Sequence, residues 1–155
     1  MYSDKVIEHF KNPQNAHGMM NADAQSTVGD PSCGDSLKLF IKVKDNRIKE
    51  ISYLVFGCCG SIATSSMTTV LAKGKTLKEA LKITEEDVIE ALDGLPEEKK
   101  HCSNLGVSAL KMAIQDYQDR QTKSKVQRIQ IDLSKCYTTS KDKIVNYMMY
   151  RLYKR

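Results

Sequence analysis

The sequence predicts an α+β fold, a small antiparallel β-sheet with several helices packed on one face. Two observations carry this: a pair of alternating apolar/polar runs that meet at a two-residue turn, and several helix-period segments that follow them. No internal repeat competes with a single-domain reading. At 155 residues the chain can build one core without disulfide staples. With 41% hydrophobic and 28% charged residues its composition is that of a globular domain, not a disordered chain.

Ser3 to Lys11 reads as a short helix with Val6, Ile7 and Phe10 on one side, ended by Asn12-Pro13. Residues 14–34 hold little periodicity and many Asn, Asp, Gly and Ser residues, and read as a loop. Leu37, Leu39, Ile41 and Val43 then alternate with mostly charged partners, the period of a half-buried strand. Asp45-Asn46 is turn material, and Ile51, Tyr53 and Val55 resume the alternation, giving a second strand over Ile48 to Phe56.

Gly57-Cys58-Cys59-Gly60 breaks that strand. Ser61 is a candidate cap for a helix whose inner side is Ala63, Met67, Val70 and Leu71, terminated by Lys73-Gly74-Lys75. Thr76 with Glu79, and Thr84 with Asp87, have capping-box spacing and start two short helices, the second burying Val88, Ile89 and Leu92. His101-Cys102-Ser103 opens a long helix, with Ser103 as its expected cap and Leu110, Ala113, Ile114 and Tyr117 facing inward. After Arg120 the composition changes. Residues 1–121 form the expected body and 122–155 an extension, with a candidate strand at Val126, Ile129 and Ile131 and a helix over Ile144 to Tyr153.

The net charge of +5 belongs to the extension, which carries nine Lys/Arg against two Asp; residues 1–121 carry fifteen Lys/Arg against seventeen Asp/Glu. The extension reads as a partner-docking or self-association segment or as a solvated basic tail; nucleic-acid binding by it is the weaker reading, and nucleic acid is not the expected partner. The uncharged run Ile51 to Ala72 is broken by glycines and contains two adjacent cysteines and seven Ser/Thr hydroxyls, so it reads as a core segment and no membrane partner is expected. The opening residues are neither a signal peptide nor an Arg-rich transit peptide, and the expected compartment is the cytoplasm or an equivalent reducing space.

In such a compartment an odd count of five cysteines is chemistry or core filler rather than a disulfide framework. Three of them stand at element boundaries. Cys33 lies in the polar turn Asp30-Pro31-Ser32-Cys33-Gly34-Asp35, with Asp35 offering a hard oxygen two residues on. Cys58 lies where a strand gives way to a helix, where backbone N–H groups favour a thiolate. Cys102 begins the long helix beside His101. Cys59 reads as packing, and Cys136 has no Cys, His or acidic neighbour that points to a role. The spacings of 25 and 44 residues fit no zinc ribbon or C-x₂-C pair. Three loop cysteines with Asp35 and His101 therefore point to a soft-metal or iron–sulfur site at one end of the fold.

Residues 1–121 closely resemble the IscU/NifU-type scaffolds of iron–sulfur cluster assembly. The likeness is carried by Tyr2-Ser3-Asp4-Lys5-Val6-Ile7 through Asn12-Pro13, by Gly29 to Asp35, and by Phe56-Gly57-Cys58 followed by Ile62-Ala63-Thr64-Ser65-Ser66. It continues through Lys73-Gly74-Lys75 and Leu95-Pro96 to His101-Cys102-Ser103. His101 and the absence of an insertion between the second and third motifs make it similar to the IscU group rather than the SufU group. The resemblance implies an IscU/SufE-like fold and a non-enzymatic scaffold on which Cys33, Cys58 and Cys102 hold a nascent [2Fe–2S] cluster. It implies that Asp35 favours cluster release, that His101 lies at the site, and that Cys102 accepts persulfide sulfur. The implied partners are a cysteine desulfurase, iron–sulfur acceptor proteins, an electron donor such as a ferredoxin, and a second copy in a homodimer.

This chain departs from that pattern in two places. Cys59 stands where Gly is usual and adds a fourth thiolate or a competing ligand, so Asp35, His101 and Cys59 are all candidates for the fourth position. Leu95-Pro96-Glu97-Glu98-Lys99 replaces the usual Leu-Pro-Pro-Val-Lys and argues against handoff through a dedicated Hsp70-type chaperone. Zn²⁺ in place of the cluster also suits the ligand set, in a sulfur acceptor that holds zinc. A bare interaction domain fits poorly with an intact set of Cys33, Asp35, Cys58, His101 and Cys102.

Overall fold

The structure is a computed structural model that describes residues 1–30 and 34–136, without the side chains of Asp30, His101 and residues 125–136. Its elements are α1 (Asp4–Lys11), β1 (Ala24–Asp30), β2 (Asp35–Lys44), β3 (Arg47–Phe56), α2 (Cys59–Ala72), α3 (Leu77–Ala80), α4 (Glu85–Ala91), a 3₁₀ turn (Glu97–Lys99) and α5 (His101–Cys136). Two compact units divide the chain, Met1–Gln118 and Asp119–Arg155, and the first contains the sheet, α1 to α4 and the start of α5.

The three strands form an antiparallel meander in the order β1-β2-β3. Asp45 and Asn46 both adopt positive φ, of 53° and 60°, the conformation that a tight turn between right-twisted strands requires. The turn sets the register, pairing Leu39 with Tyr53 and Leu37 with Val55. On the other side Ser26 pairs with Leu39 and Asp30 with Asp35. The row Ser26, Leu39, Tyr53 is buried and shows which helices cover this face. Ser26 donates its hydroxyl to the Ala109 carbonyl of α5 at 2.7 Å, and the Tyr53 hydroxyl lies 3.4 Å from the Ile62 carbonyl of α2. Both helices therefore lie on one sheet face, and the α+β arrangement is the one the sequence predicts.

Helix boundaries follow local chemistry. Ser3 caps α1, accepting from the Val6 N–H. Thr76 with Glu79 and Thr84 with Asp87 form the two expected capping boxes. Two expected caps are corrected: Cys58, not Ser61, is the N-cap of α2, and Ser103 lies inside α5, donating its hydroxyl to the Lys100 carbonyl. Only Val6 of the expected α1 face is buried, while Ile7 and Phe10 are largely exposed. In α2, Val70 is exposed and the buried surface is instead Ser61, Thr64, Ser65, Ser66, Thr68 and Thr69 around Ala63 and Met67.

Residues 14–34 are not all loop, since Ala24–Asp30 is the edge strand β1. Residues 126–131 are helical within α5, not a strand. The helix expected over Ile144 to Tyr153, Cys33 and the Cys136 side chain lie outside the described residues. In α5, Leu110, Ala113 and Ile114 are fully buried and Tyr117 partly so, as the spacing requires. Among the described residues no helix is long and apolar enough to cross a membrane.

A polar seam joins α1 to α2. Ser66 Oγ accepts the Gln14 N–H at 2.8 Å and stands 2.7 Å from His9 Nδ1. Burial disfavours the His9 imidazolium, Glu8 opposing and Lys5 reinforcing, so its pKa lies below the ordinary 6.5. The unfolded chain then takes up its proton first as pH falls. The contribution of His9 to stability is flat above 6.5 and declines from there down to its folded pKa. The thermal midpoint of wild type relative to His9→Asn, which cannot titrate, should therefore fall as pH is lowered below 6.5 and stay constant above it. A difference independent of pH would remove His9 from the acid response.

Candidate metal centre

Three side chains that can ligate a metal converge where β2, α2 and α5 begin. Atoms of Asp35, Cys58 and Cys102 all lie within 4.8 Å of one another. The Cys58 and Cys102 sulfurs are 3.7 Å apart. Two thiolates bound about 2.3 Å from a tetrahedral metal stand roughly 3.8 Å apart, so this pair already has ligand spacing.

Each position has a local cause. Cys58 occupies the N-cap of α2 in extended conformation, φ −75° and ψ 171°, just after the sharp exit from β3. Gly60 forms the floor beneath both thiols: a Cβ there would stand 3.4 Å from Cys102 Sγ and 3.6 Å from Cys58 Sγ. Gly57 makes room for Asp35, whose Cγ would lie 2.7 Å from a Cβ at that position. Asp35 is buried at 6% exposure, and among the described residues its Oδ2 has no hydrogen-bond partner. A buried carboxylate oxygen left without a donor is costly unless a cation completes it. The chemistry of the residues present thus fits a thiophilic metal with one hard oxygen ligand.

The two thiols differ electrostatically. Burial works to raise the Cys58 pKa, but the Ser61 and Gly60 N–H groups at the open end of α2, the Ser61 hydroxyl and the Cys102 thiol outweigh it and leave the pKa below the ordinary 9.0. Burial pushes the Cys102 thiol up to about 12, with Cys58 and Asp35 adding to the rise and Lys99 opposing it weakly.

The sequence singles out Cys33, Asp35, Cys58, His101 and Cys102. Of these, Asp35, Cys58 and Cys102 come together; Cys33 and the His101 side chain are not described. Cys59, a candidate for the fourth position, is not in the cluster. A hydrogen bond with Cys59 holds the Tyr2 phenol well above its ordinary pKa, helped by burial and by the charge of Cys59, Cys58 and Cys102. Tyr2 at the rim of the site escapes a reading of the sequence, because nothing local pairs it with residues more than fifty positions away. Ser61 and Gly60 escape it as site residues too, although a glycine and a hydroxyl just after a cysteine at a helix start are the signal for a stabilised thiolate.

Residues 1–124 match the model of the NifU-like N-terminal domain. The chain belongs to that family. Among its relatives is iron–sulfur cluster assembly scaffold protein IscU 1 of Archaeoglobus fulgidus, 59% identical over 117 residues, 76% of each chain. The scaffold protein IscU of Escherichia coli K12 is 44% identical over 123 residues, covering 77% of this chain and 95% of its own. A NifU-like N-terminal structure from Brucella abortus has the same fold, with a TM-score of 0.60 at 18% identity over 75% of this chain and 93% of that one.

The thiol asymmetry has a direct test. In the metal-free NifU-like domain, iodoacetamide should label Cys58 with a rate midpoint below pH 9.0, while Cys102 should resist labelling until far higher pH. Ser61→Ala should move the Cys58 midpoint upward. Peptide mapping of the labelled protein checks both, and equal labelling of Cys58 and Cys102 at neutral pH would contradict the asymmetry.

Proposed function

We propose that this chain is an iron–sulfur cluster assembly scaffold, on which a nascent [2Fe–2S] cluster is built and then passed to acceptor proteins. The observation that carries the reading is the convergence of Asp35, Cys58 and Cys102 around a buried, unpartnered carboxylate oxygen. Membership of the NifU-like family and the names of the 59% and 44% identical relatives support it. Iron, sulfur and the finished cluster are cargo. Cys33, two residues before Asp35, supplies the third thiolate, and His101, next to Cys102, stands by as a further ligand.

The electrostatics favour an order of events. In the empty site Cys102 keeps its proton, because burial and two acidic neighbours oppose a second thiolate. A cation between Asp35 and Cys58 relieves that repulsion and favours loss of the Cys102 proton, so metal enters before sulfur. The Cys102 thiolate then attacks the outer sulfur of a persulfide on a cysteine desulfurase. The desulfurase S–S bond breaks, its cysteine leaves as thiolate, and Cys102 carries the persulfide. That sulfur is still at the sulfane level. Two electrons from a donor of the ferredoxin class reduce it to sulfide and restore the Cys102 thiolate. A homodimer gives two such sites a route to share a cluster. A site built on thiols, with the Cys58 and Cys102 sulfurs at ligand spacing, suits the cytoplasm or another reducing compartment. Leu95 to Lys99 keeps its two glutamates, Glu97 and Glu98, in an exposed 3₁₀ turn, so no dedicated Hsp70-type chaperone belongs to the proposal.

Zinc is the alternative cargo, since 3.7 Å between sulfurs suits it equally. Anaerobic reconstitution with iron, cysteine and a desulfurase separates the two. Visible charge-transfer bands with near-equal iron and acid-labile sulfide are expected, and Cys58→Ser should abolish them. A colourless product that accepts sulfur but keeps only zinc would replace the scaffold reading with that of a zinc-bound sulfur acceptor. Asp35→Ala should assemble cluster yet transfer it several-fold more slowly to an acceptor apoprotein, because the hard oxygen ligand eases release. A chain lacking residues 122–155 should still assemble cluster, with any change confined to its oligomeric state.

A further inference from the structure

We propose that Thr64, with Gly106 one turn further along the same helix contact, is the positioning pair that holds Cys102 at ligand distance from Cys58. The proposal deepens the scaffold reading and depends on it only for what the metal is used for.

Thr64 is fully buried on α2, six residues after Cys58. Its Oγ1 lies 3.0 Å from the Cys102 carbonyl of α5 and 3.2 Å from the Ser61 carbonyl of its own helix. One hydroxyl proton is thus shared between the first turns of two helices, each of which carries a ligand cysteine. At Gly106 the α5 backbone presses against α2: a Cβ would stand 2.6 Å from Thr68 Oγ1, 3.3 Å from Thr68 Cβ and 3.6 Å from Ser65 Cα. Thr68 cannot swing aside freely, because its hydroxyl donates to the Thr64 carbonyl at 2.7 Å.

Cys58 is the N-cap of α2, so its backbone moves with that helix. Tying the Cys102 backbone to α2 at Thr64, with the helices closed down at Gly106, therefore fixes one sulfur relative to the other. The 3.7 Å separation is the outcome. Thr and Val have nearly the same shape, so filling the core does not require the hydroxyl; aiming the Cys102 carbonyl does. A purely structural Thr64 would support stability without setting metal affinity.

Anaerobic titration of the metal-free full chain with Co²⁺, read by thiolate-to-cobalt charge transfer, separates these roles. It is run where circular dichroism shows each variant fully folded. Thr64→Val should bind Co²⁺ about tenfold more weakly with an altered charge-transfer band, as loss of groups that orient ligands commonly does. Thr64→Ser should restore wild-type affinity and spectrum, and Gly106→Ala should behave like Thr64→Val. A folded Thr64→Val that binds Co²⁺ with wild-type affinity and spectrum overturns the proposal. Should that variant fail to fold, Gly106→Ala decides, unchanged binding refuting the pair. Wild type that binds Co²⁺ but assembles no cluster would sink the scaffold reading and leave this proposal standing.

Discussion

Helix α2 is buried along most of its length, and the domain is arranged around a helix whose buried surface is largely hydroxyl. Hydroxyls taken out of water must find partners, and nearly all of these do. Ser61 donates to the Cys58 carbonyl, Thr68 to the Thr64 carbonyl, and Thr69 to the Ser66 carbonyl. Thr64 and Ser66 reach outward, the first to α5, the second to the Gln14 N–H and His9. Small side chains let neighbours approach closely, as Gly106 does, and directional bonds fix their register in a way that apolar contact alone does not. The N-terminus of this helix is where Cys58 sits, so the packing constraint and the site are one feature.

The centre is geometrically formed, and its own groups leave its electrostatics incomplete. Three groups that can each carry a negative charge share a space within which their ligand atoms are 4.8 Å or less apart. The α2 terminus accommodates one charge, at Cys58. Protonation of Cys102 avoids another, and the partnerless oxygen of Asp35 is left open to whatever cation enters. Such an arrangement gives a cation a large differential interaction without requiring the protein to reorganise around it.

Much of this is legible in the sequence because the signals are local. The β2–β3 hairpin follows from alternation plus the Asp45-Asn46 turn, and both capping boxes from Thr-x-x-acid spacing. The convergence of Asp35, Cys58 and Cys102 follows from cysteines at element boundaries. The features that are not legible depend on tertiary partners. β1 has only Ala24, Ser26 and Val28 on its inner side, too weak an alternation to read, and Ser26 owes its buried place to the Ala109 carbonyl. An apolar buried face is the natural expectation for α2 because hydroxyls carry no hydrophobic period; their partners lie within the helix, on α5, and on α1 and the segment after it. Ile7 and Phe10 share a helical face with Val6, but one helical turn of apolar spacing does not say how much of that face is covered. Val126, Ile129 and Ile131 fit neither period well, and the continuing helix decides their state.

On the proposed function the site must form a complex quickly and also give it up, and the two demands would fall on different features. Formation is served by geometry: two sulfurs held at ligand spacing by rigid helix starts lose little entropy when metal binds. Release is served by ligand chemistry. If Asp35 is a ligand as proposed, its carboxylate oxygen is a poorer match than a thiolate for iron in a sulfur-bridged cluster, and it would be the most weakly held corner of an otherwise preformed centre. Cys59 could have supplied a fourth thiolate, but its sulfur is not one of the atoms gathered in the Asp35–Cys58–Cys102 group. Drawing Cys59 inward would trade release for retention and turn a donor into a reservoir.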